Sequence, residues 1–331
     1  MKLLSLTINK VDSTSFYRAN GVFGDLKQRL PIEIKSMDVK DIRDMNWSDL
    51  IMFDVVFMQR PYTAVNLQMA RYLRDMKIPL WIDYDDNLFD IPIDNRAHDT
   101  FSNEQIRKNI SEICSLATVI TVSTLELAEK LSQFNQNIRV IPNALNLKLL
   151  KPRPTHNNKT VLWRGSDTHQ GELLIFANHI YSAMQQFTDW QFAYFGYNPY
   201  FIPIASNKIY YKPTDPILYM QSIAQMAPSI MQVPLLDNLF NRCKSDIAYL
   251  EGTYAGAVCL VPDWTEWQHP GTVRYNTIEQ YFDKLKLMLT EKVNFARMNA
   301  EAWDYITTTR TLDKINPLRA ALIEELCSVK V

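Results

Sequence analysis

Lys244, Ser245 and Glu251 lie close together in the stretch FNRCKSDIAYLEGTYAGAVCLVPDW, and their side chains suit one kind of ligand. A cation and a hydroxyl near a helix N-terminus can meet phosphate oxygens, because the first turn leaves N–H groups unbonded and the helix dipole favours negative charge there. A carboxylate about two turns further on the same face can accept hydrogen bonds from a ribose diol. The stretch reads as one amphipathic helix with Lys244 and Ser245 in its first turn. It then turns at Ala255, Gly256 and Ala257 into the strand VCLVP. Spacing alone leaves a solvated lysine and an ordinary surface glutamate equally open.

Other side chains gather at the ends of apolar runs. Asp83, Asp85 and Asp86 close WIDYDD, where a D-x-D can hold a divalent ion, orient a hydroxyl, act as a base or cap the next turn. In DSTSFYRANGVFGDL, Arg18 can fork onto phosphate oxygens and Tyr17 can pack on a sugar or base, unless the segment is a helix start with Arg18 solvated. Gln59 and Arg60 end DVVFMQR. Arg164, Gly165, Ser166 and His169 follow VLW, where backbone N–H groups could meet a diphosphate. Trp264, Trp267 and His269 in DWTEWQHPG suit stacking on a ring or packing in a core.

The elements that must position these residues alternate along the chain. KLLSLTI, IMFDVVFM, IPLWIDY, ATVITV and IRVIPN are strand-like runs separated by helical patterns, which signals βαβ units and a parallel sheet. LKLLKPRPTHNNKT (147–160) has neither period and reads as a linker. The alternation then restarts with VLWRG, WQFAYFG, NKIYY, SIMQVPL and AVCLVP. We therefore expect an α/β protein of two Rossmann-like domains whose parallel sheets face each other across a cleft. The expected parts are residues 1–147, residues 148–309 and a C-terminal helix (310–331) that crosses back to the first domain. In open α/β sheets, ligands bind beyond the carboxyl ends of the strands, so Gln59 and Arg60 would face one side of the cleft and Arg164 to His169 the other.

Composition removes several function classes. The 35 basic and 36 acidic residues give a net charge of −1, with no footprint for nucleic acid. The four cysteines have no metal-ligand spacing, and the eight glycines form neither G-x-G-x-x-G nor a P-loop, which disfavours dehydrogenase and P-loop readings. No apolar run approaches the roughly 20 residues of a membrane span, so the expectation is a soluble, cytoplasmic chain without stable membrane insertion.

The segment KSDIAYLEGTYAGAVCLVP resembles the donor-binding motif of the retaining GT-B glycosyltransferases, a helix reading roughly L-E-A-x-A-x-G before a strand reading P-V-V. PLLDNLFNRCKS is similar to a form found in bacterial and phage members of this group (glycosyltransferase family 4-like). VLWRGSDTHQGEL, ATVITVSTLELAEKL and IRVIPNALN resemble further segments of the family, in chain order. The resemblance implies a hexosyl- or pentosyltransferase that uses a nucleotide sugar, such as a UDP sugar, and no metal or other cofactor. It implies donor contacts from Arg164, Gly165, Ser166, His169, Asn241, Lys244, Ser245 and Glu251, with Glu251 on the ribose. It places Tyr17, Gln59 and Arg60 on the acceptor side, and Asp85, Asp86 and Arg18 at the reacting centre. Members often carry a second glutamate where this chain has Cys243, and a thiol cannot take its role. Asp237 or the Asp85–Asp86 pair would have to supply it. The acceptor is expected to be a surface glycan or a hydroxymethylated pyrimidine in phage DNA, the latter disfavoured by the neutral charge. The rival expectation is a non-catalytic sugar-binding or assembly protein with the same fold.

Overall fold

The structure, a computed structural model, describes residues 1–9, 12–38, 42 and 45–328. Its core is two six-stranded sheets in which every pairing is parallel. The first contains β1 (Lys2–Thr7), β2 (Glu33–Asp38), β3 (Val55–Gln59), β4 (Leu80–Tyr84), β5 (Val119–Val122) and β6 (Ile138–Val140), in the order β2-β1-β3-β4-β5-β6. The second contains β7 (Asn158–Gly165), β8 (Gln191–Gly196), β9 (Lys208–Tyr211), β10 (Pro228–Gln232), β11 (Val258–Pro262) and β12 (Thr272–Tyr275), in the order β12-β11-β10-β7-β8-β9.

Both orders are doubly wound, and each reverses at one point: between β1 and β3 in the first sheet, and between β7 and β10 in the second. The connections diverge there to opposite faces and leave a crevice beyond the strand ends. The ends of those four strands and the segments after them carry Asp12 to Arg18, Arg60, Arg164 to His169, and Val233 to Ser245.

Helices cover both faces. In the first lobe these are α1 (Ser13–Arg18), α2 (Asn20–Leu26), α3 (Ala64–Asp75), α4 (His98–Phe101), α5 (Glu104–Leu116) and α6 (Leu125–Leu131). In the second they are α7 (Gln170–Gln186), α8 (Pro216–Met226), α9 (Leu239–Arg242), α10 (Ile247–Tyr254), α11 (Ile278–Leu289) and α12 (Phe295–Thr309). The last helix, α13 (Leu312–Ser328), packs Leu312, Ile315, Leu322 and Ile323 against Leu3, Phe57 and Trp81 of the first sheet. The alternate residues Leu4, Val56, Met58 and Ile82 face α3 and α5 on the other side, as the two-residue period of a strand requires. No described helix is long and apolar enough to cross a membrane.

Sequence patterning finds the central strands and misses β2 and β12. Both are edge strands, with half-exposed and exposed residues mixed among the buried ones, so neither shows the apolar run that marks a strand buried on both faces. The single helix expected from Lys244 to Glu251 is corrected too. The chain forms α9, breaks at Cys243 to Asp246, and starts again as α10, so Lys244 and Ser245 lie in the break. The break persists because Asp246 and Ser245 are held from the other segments that meet here. Arg310 donates to both Asp246 oxygens at 2.7 and 2.6 Å, and Asn143 donates to Ser245 Oγ at 2.9 Å.

Candidate functional site

A cavity of about 720 Å³ opens between the lobes at the two crevices. The close approach of two glycines at the ends of β7 and β8 gives it depth on the second-lobe side. Gly196 has φ +98°, and a Cβ there would stand 2.4 Å from the Gly165 carbonyl oxygen, a position only glycine takes without strain.

Glu251 of α10 lies on the cavity wall and is 3% exposed. Arg164, at the end of β7, pairs with its Oε2 at 2.8 Å. Tyr219 of α8 donates to the same oxygen at 3.1 Å, and Tyr17, reaching across from the first lobe, donates to Oε1 at 2.8 Å. Burial, reinforced by Glu251, pushes both tyrosine hydroxyls well above their ordinary pKa, so they stay donors. Burial works against the charge on Arg164, but Glu251 and the two tyrosines more than offset it. Tyr219 is a site residue that sequence reading misses, because a tyrosine in an apolar helix carries no motif. Asp215 and Pro216 start α8 with a side-chain cap and a proline at its N-terminus, which fixes where Tyr219 points.

Opposite stands an ion network built on Arg60. Its φ of +45° is unusual for a residue with a side chain, and it turns the guanidinium off the end of β3 onto Asp85 and, at 2.6 Å, Asp86. Lys244 reaches Asp86 from the second lobe at 3.5 Å and lies 4.3 Å from the centre of the Phe240 ring. Burial pushes Asp86 up, but Lys244, then Arg60, hold its carboxyl down at about 2. Burial dominates at Asp85 and, with Asp86 beside it, raises its pKa despite Arg60. One carboxylate is thus firmly ionised while its neighbour is more readily protonated, the separation that lets paired carboxylates divide acid and base work.

Gly165, Ser166 and His169 line the cavity as well. The His169 ring sits 2.8 Å from Glu172 on α7, and Asn241 also donates to Glu172. Burial opposes ionisation of Glu172, yet His169 and Lys244 keep it below the usual range. At Gly171, in the first turn of α7, a Cβ would fall 1.7 Å from the Asp94 carboxylate. The missing side chain lets a first-lobe carboxylate reach the end of a helix that attracts negative charge.

Three expectations are corrected. Arg18 does not fork onto a ligand from the cavity wall. It is 1% exposed, bonded through Nε and Nη2 to Asp83 at 3.0 and 2.7 Å and through Nη1 to the Ile141 carbonyl at 2.6 Å. An ion pair so fully hydrogen-bonded is a structural strut, and Asp83 is spent on it. Gln59 is wholly buried and accepts from Ser15 at 2.8 Å, so Arg60 alone of that pair faces the cavity. Asn241 is also wholly buried and supports Glu172 rather than presenting itself to a donor.

Cys243 lies in the first lobe's apolar core, and burial pushes its thiol up to about 11. Asp237 forms a surface pair with Arg242 at 2.5 Å. Among the loop aromatics Trp267 lines the cavity, Trp264 lies beside Arg242, and His269 pairs with Asp246 and stacks on Tyr249 and Tyr305. No group of side chains suited to a metal ion occurs among the described residues.

No family model and no curated protein matches the sequence. Solved structures match the fold. A sucrose-phosphate synthase from Thermosynechococcus elongatus superposes with TM-score 0.74 at 11% identity, covering 99% of this chain and 100% of that one. A UDP-forming α,α-trehalose-phosphate synthase from Burkholderia xenovorans gives 0.66 at 11% identity, with 99% of each chain covered. The Staphylococcus aureus MnaA structure with UDP gives 0.55 at 12% identity over 90% of each. The fold is GT-B, with two parallel-sheet lobes across a cleft. Fold likeness at such identities leaves chemistry to be argued from the site.

Proposed function

We propose that this protein transfers a glycosyl group from a nucleoside-diphosphate sugar to an acceptor hydroxyl in the cleft, with retention of configuration. The observation that carries the reading is Glu251, a carboxylate fixed on the cavity wall by Arg164, Tyr219 and Tyr17, with Lys244 lining the same cavity. Glu251 takes the ribose hydroxyls, while Arg164, Lys244 and the backbone around Gly165 and Ser166 take the diphosphate. The UDP-forming synthase and the UDP-bound structure among the similar folds make UDP sugars the first donors to try.

The bond between the anomeric carbon and the diphosphate oxygen breaks, and its electron pair leaves with the diphosphate. Stabilising that departing charge is the main catalytic effect. The acceptor oxygen bonds to the anomeric carbon on the face just vacated, and its proton passes to the departing diphosphate. Asp85 and Asp86 orient the acceptor hydroxyl, and closure of the lobes excludes water that would otherwise take the sugar. The acceptor is a surface glycan or a hydroxymethylated pyrimidine in DNA.

Retained fold without turnover is a second reading, favoured by the buried thiol of Cys243 at the position where the resemblance to GT-B glycosyltransferases implies a carboxylate. A panel of nucleotide sugars decides between them. Slow donor hydrolysis without acceptor, and a mass increase of one glycosyl unit on an acceptor, support transfer. Binding in the calorimeter with neither hydrolysis nor transfer supports the second reading, and no binding of any nucleotide sugar removes both.

A further inference from the structure

The first-lobe wall of the cavity has a distinct chemical character. Among the described residues lining it, Arg60 is the one basic side chain, and both Asp85 and Asp86 hold it. Asp12 adds a further carboxylate. Negative charge is in excess even with a proton on Asp85. The second lobe does not reverse this, because its cations at the cavity, Arg164 and Lys244, are the ones assigned to the donor diphosphate in the reading above.

Beside the carboxylates the wall is apolar. Leu88, Ile91 and Phe101 line the cavity from the segment after β4, and Phe240 adds a ring from the second lobe. Leu88 and Ile91 are buried into the first-lobe core, and Phe101 packs edge-on against Tyr62 with ring centres 5.1 Å apart, so the face is held firmly. A phosphate brought to this wall would meet like charge at low dielectric with no spare cation, an arrangement that selects against the wrong partner. A pyranose fits it well. Its C–H face packs on apolar side chains while its hydroxyls donate to carboxylates.

We propose that the acceptor is an uncharged saccharide, its ring lying on Leu88, Ile91 and Phe101 with a hydroxyl directed to Asp85 and Asp86, and that phosphorylated sugars and DNA are excluded. This rests on the transferase reading above.

The test is an acceptor competition with the full chain and whichever nucleotide sugar it hydrolyses. Neutral mono- and disaccharides, the corresponding sugar 6-phosphates, and duplex DNA carrying hydroxymethylcytosine are offered in parallel, with products read by mass. The expected result is transfer to a neutral saccharide, with a KM at least about ten-fold lower than for its 6-phosphate and no product on DNA. Phe101→Ala should raise the KM for that saccharide on the order of ten-fold and leave the donor KM unchanged, whereas Phe101→Leu should restore it. Better turnover of a phosphorylated sugar or of DNA overturns the proposal, as does donor hydrolysis with every neutral saccharide untouched or a Phe101→Ala KM equal to wild type. Absence of donor binding in the calorimeter instead refutes the transferase reading itself, which keeps the two failures apart.

Discussion

Glu251 holds three partners at once, and that occupancy sets what its substitution does. Glu251→Ala would strand Arg164, Tyr17 and Tyr219, and breaking such a pair costs about 3–5 kcal/mol, so stability would fall along with function. Glu251→Gln keeps the shape and loses the charge. It should weaken nucleotide-sugar binding roughly ten- to a hundred-fold by calorimetry, the value of one hydrogen bond to a charged group, and lower the melting temperature less than Glu251→Ala does because one acceptor oxygen remains. Asp86 acts in the opposite direction on the donor. It engages the lysine that would meet the diphosphate, so Asp86→Asn should tighten UDP binding by about three- to ten-fold while slowing turnover. Weaker UDP binding would place the diphosphate away from Lys244. Both carboxylates of the Asp85–Asp86 pair are taken by Arg60, and the departing charge has Arg164 and Lys244 to meet it. Activity should therefore survive EDTA within about two-fold, whereas full loss with recovery in Mg²⁺ or Mn²⁺ would make those aspartates metal ligands. At this scale most of the residues that the sequence singles out do line the cavity, whereas Arg18, Gln59 and Asn241 are buried away from it. An arginine beside a strand end can face outward or inward, and only the position of Asp83 across the sheet settles which.

Elements explain the rest of what was legible. Central strands announce themselves by unbroken apolar runs, so the two sheets and their alternation with helices could be read directly. The edges β2 and β12 could not, nor could the break between α9 and α10, which depends on Arg310, a residue 64 positions from Asp246 along the chain. The same break gathers a second set of charges. Glu266 is pushed up to about 9, first by burial and then by Asp246. A carboxyl raised above its unfolded value of 4.5 binds more protons folded than unfolded. Its contribution to stability is fully present below that value and is lost as pH rises toward 9. Glu266→Gln removes that loss, so its melting temperature should exceed wild type at pH 9 and converge with it near pH 5. A gap that widens toward acid would show that Glu266 is ionised in the fold.

At the scale of the whole molecule, the chain crosses between the lobes twice. One runs from β6 into β7, and the other from α12 into α13. They lie side by side, paired as a parallel bridge between Leu145 and Thr311, with Leu145 N–H donating to the Arg310 carbonyl and Leu312 N–H to the Leu145 carbonyl, each at 2.9 Å. Arg310 fastens the pair by donating to the Asn143 carbonyl at 3.0 Å while it holds Asp246. Arg310→Ala should cost about 3–5 kcal/mol in thermal or urea unfolding, because Asp246 is then buried without its main counter-charge. A cost under 1 kcal/mol would mean that His269 alone satisfies Asp246.

Two bodies joined at one point can swing and twist in any direction, but two bodies joined at two neighbouring points turn freely about only one line. The paired crossings are such points, and small backbone rotations there absorb the motion. A rotation of one lobe on the other about these points would have a single degree of freedom, like a door on two pins. The alignment of the two half-sites is then decided by where that axis lies and needs no search over orientations.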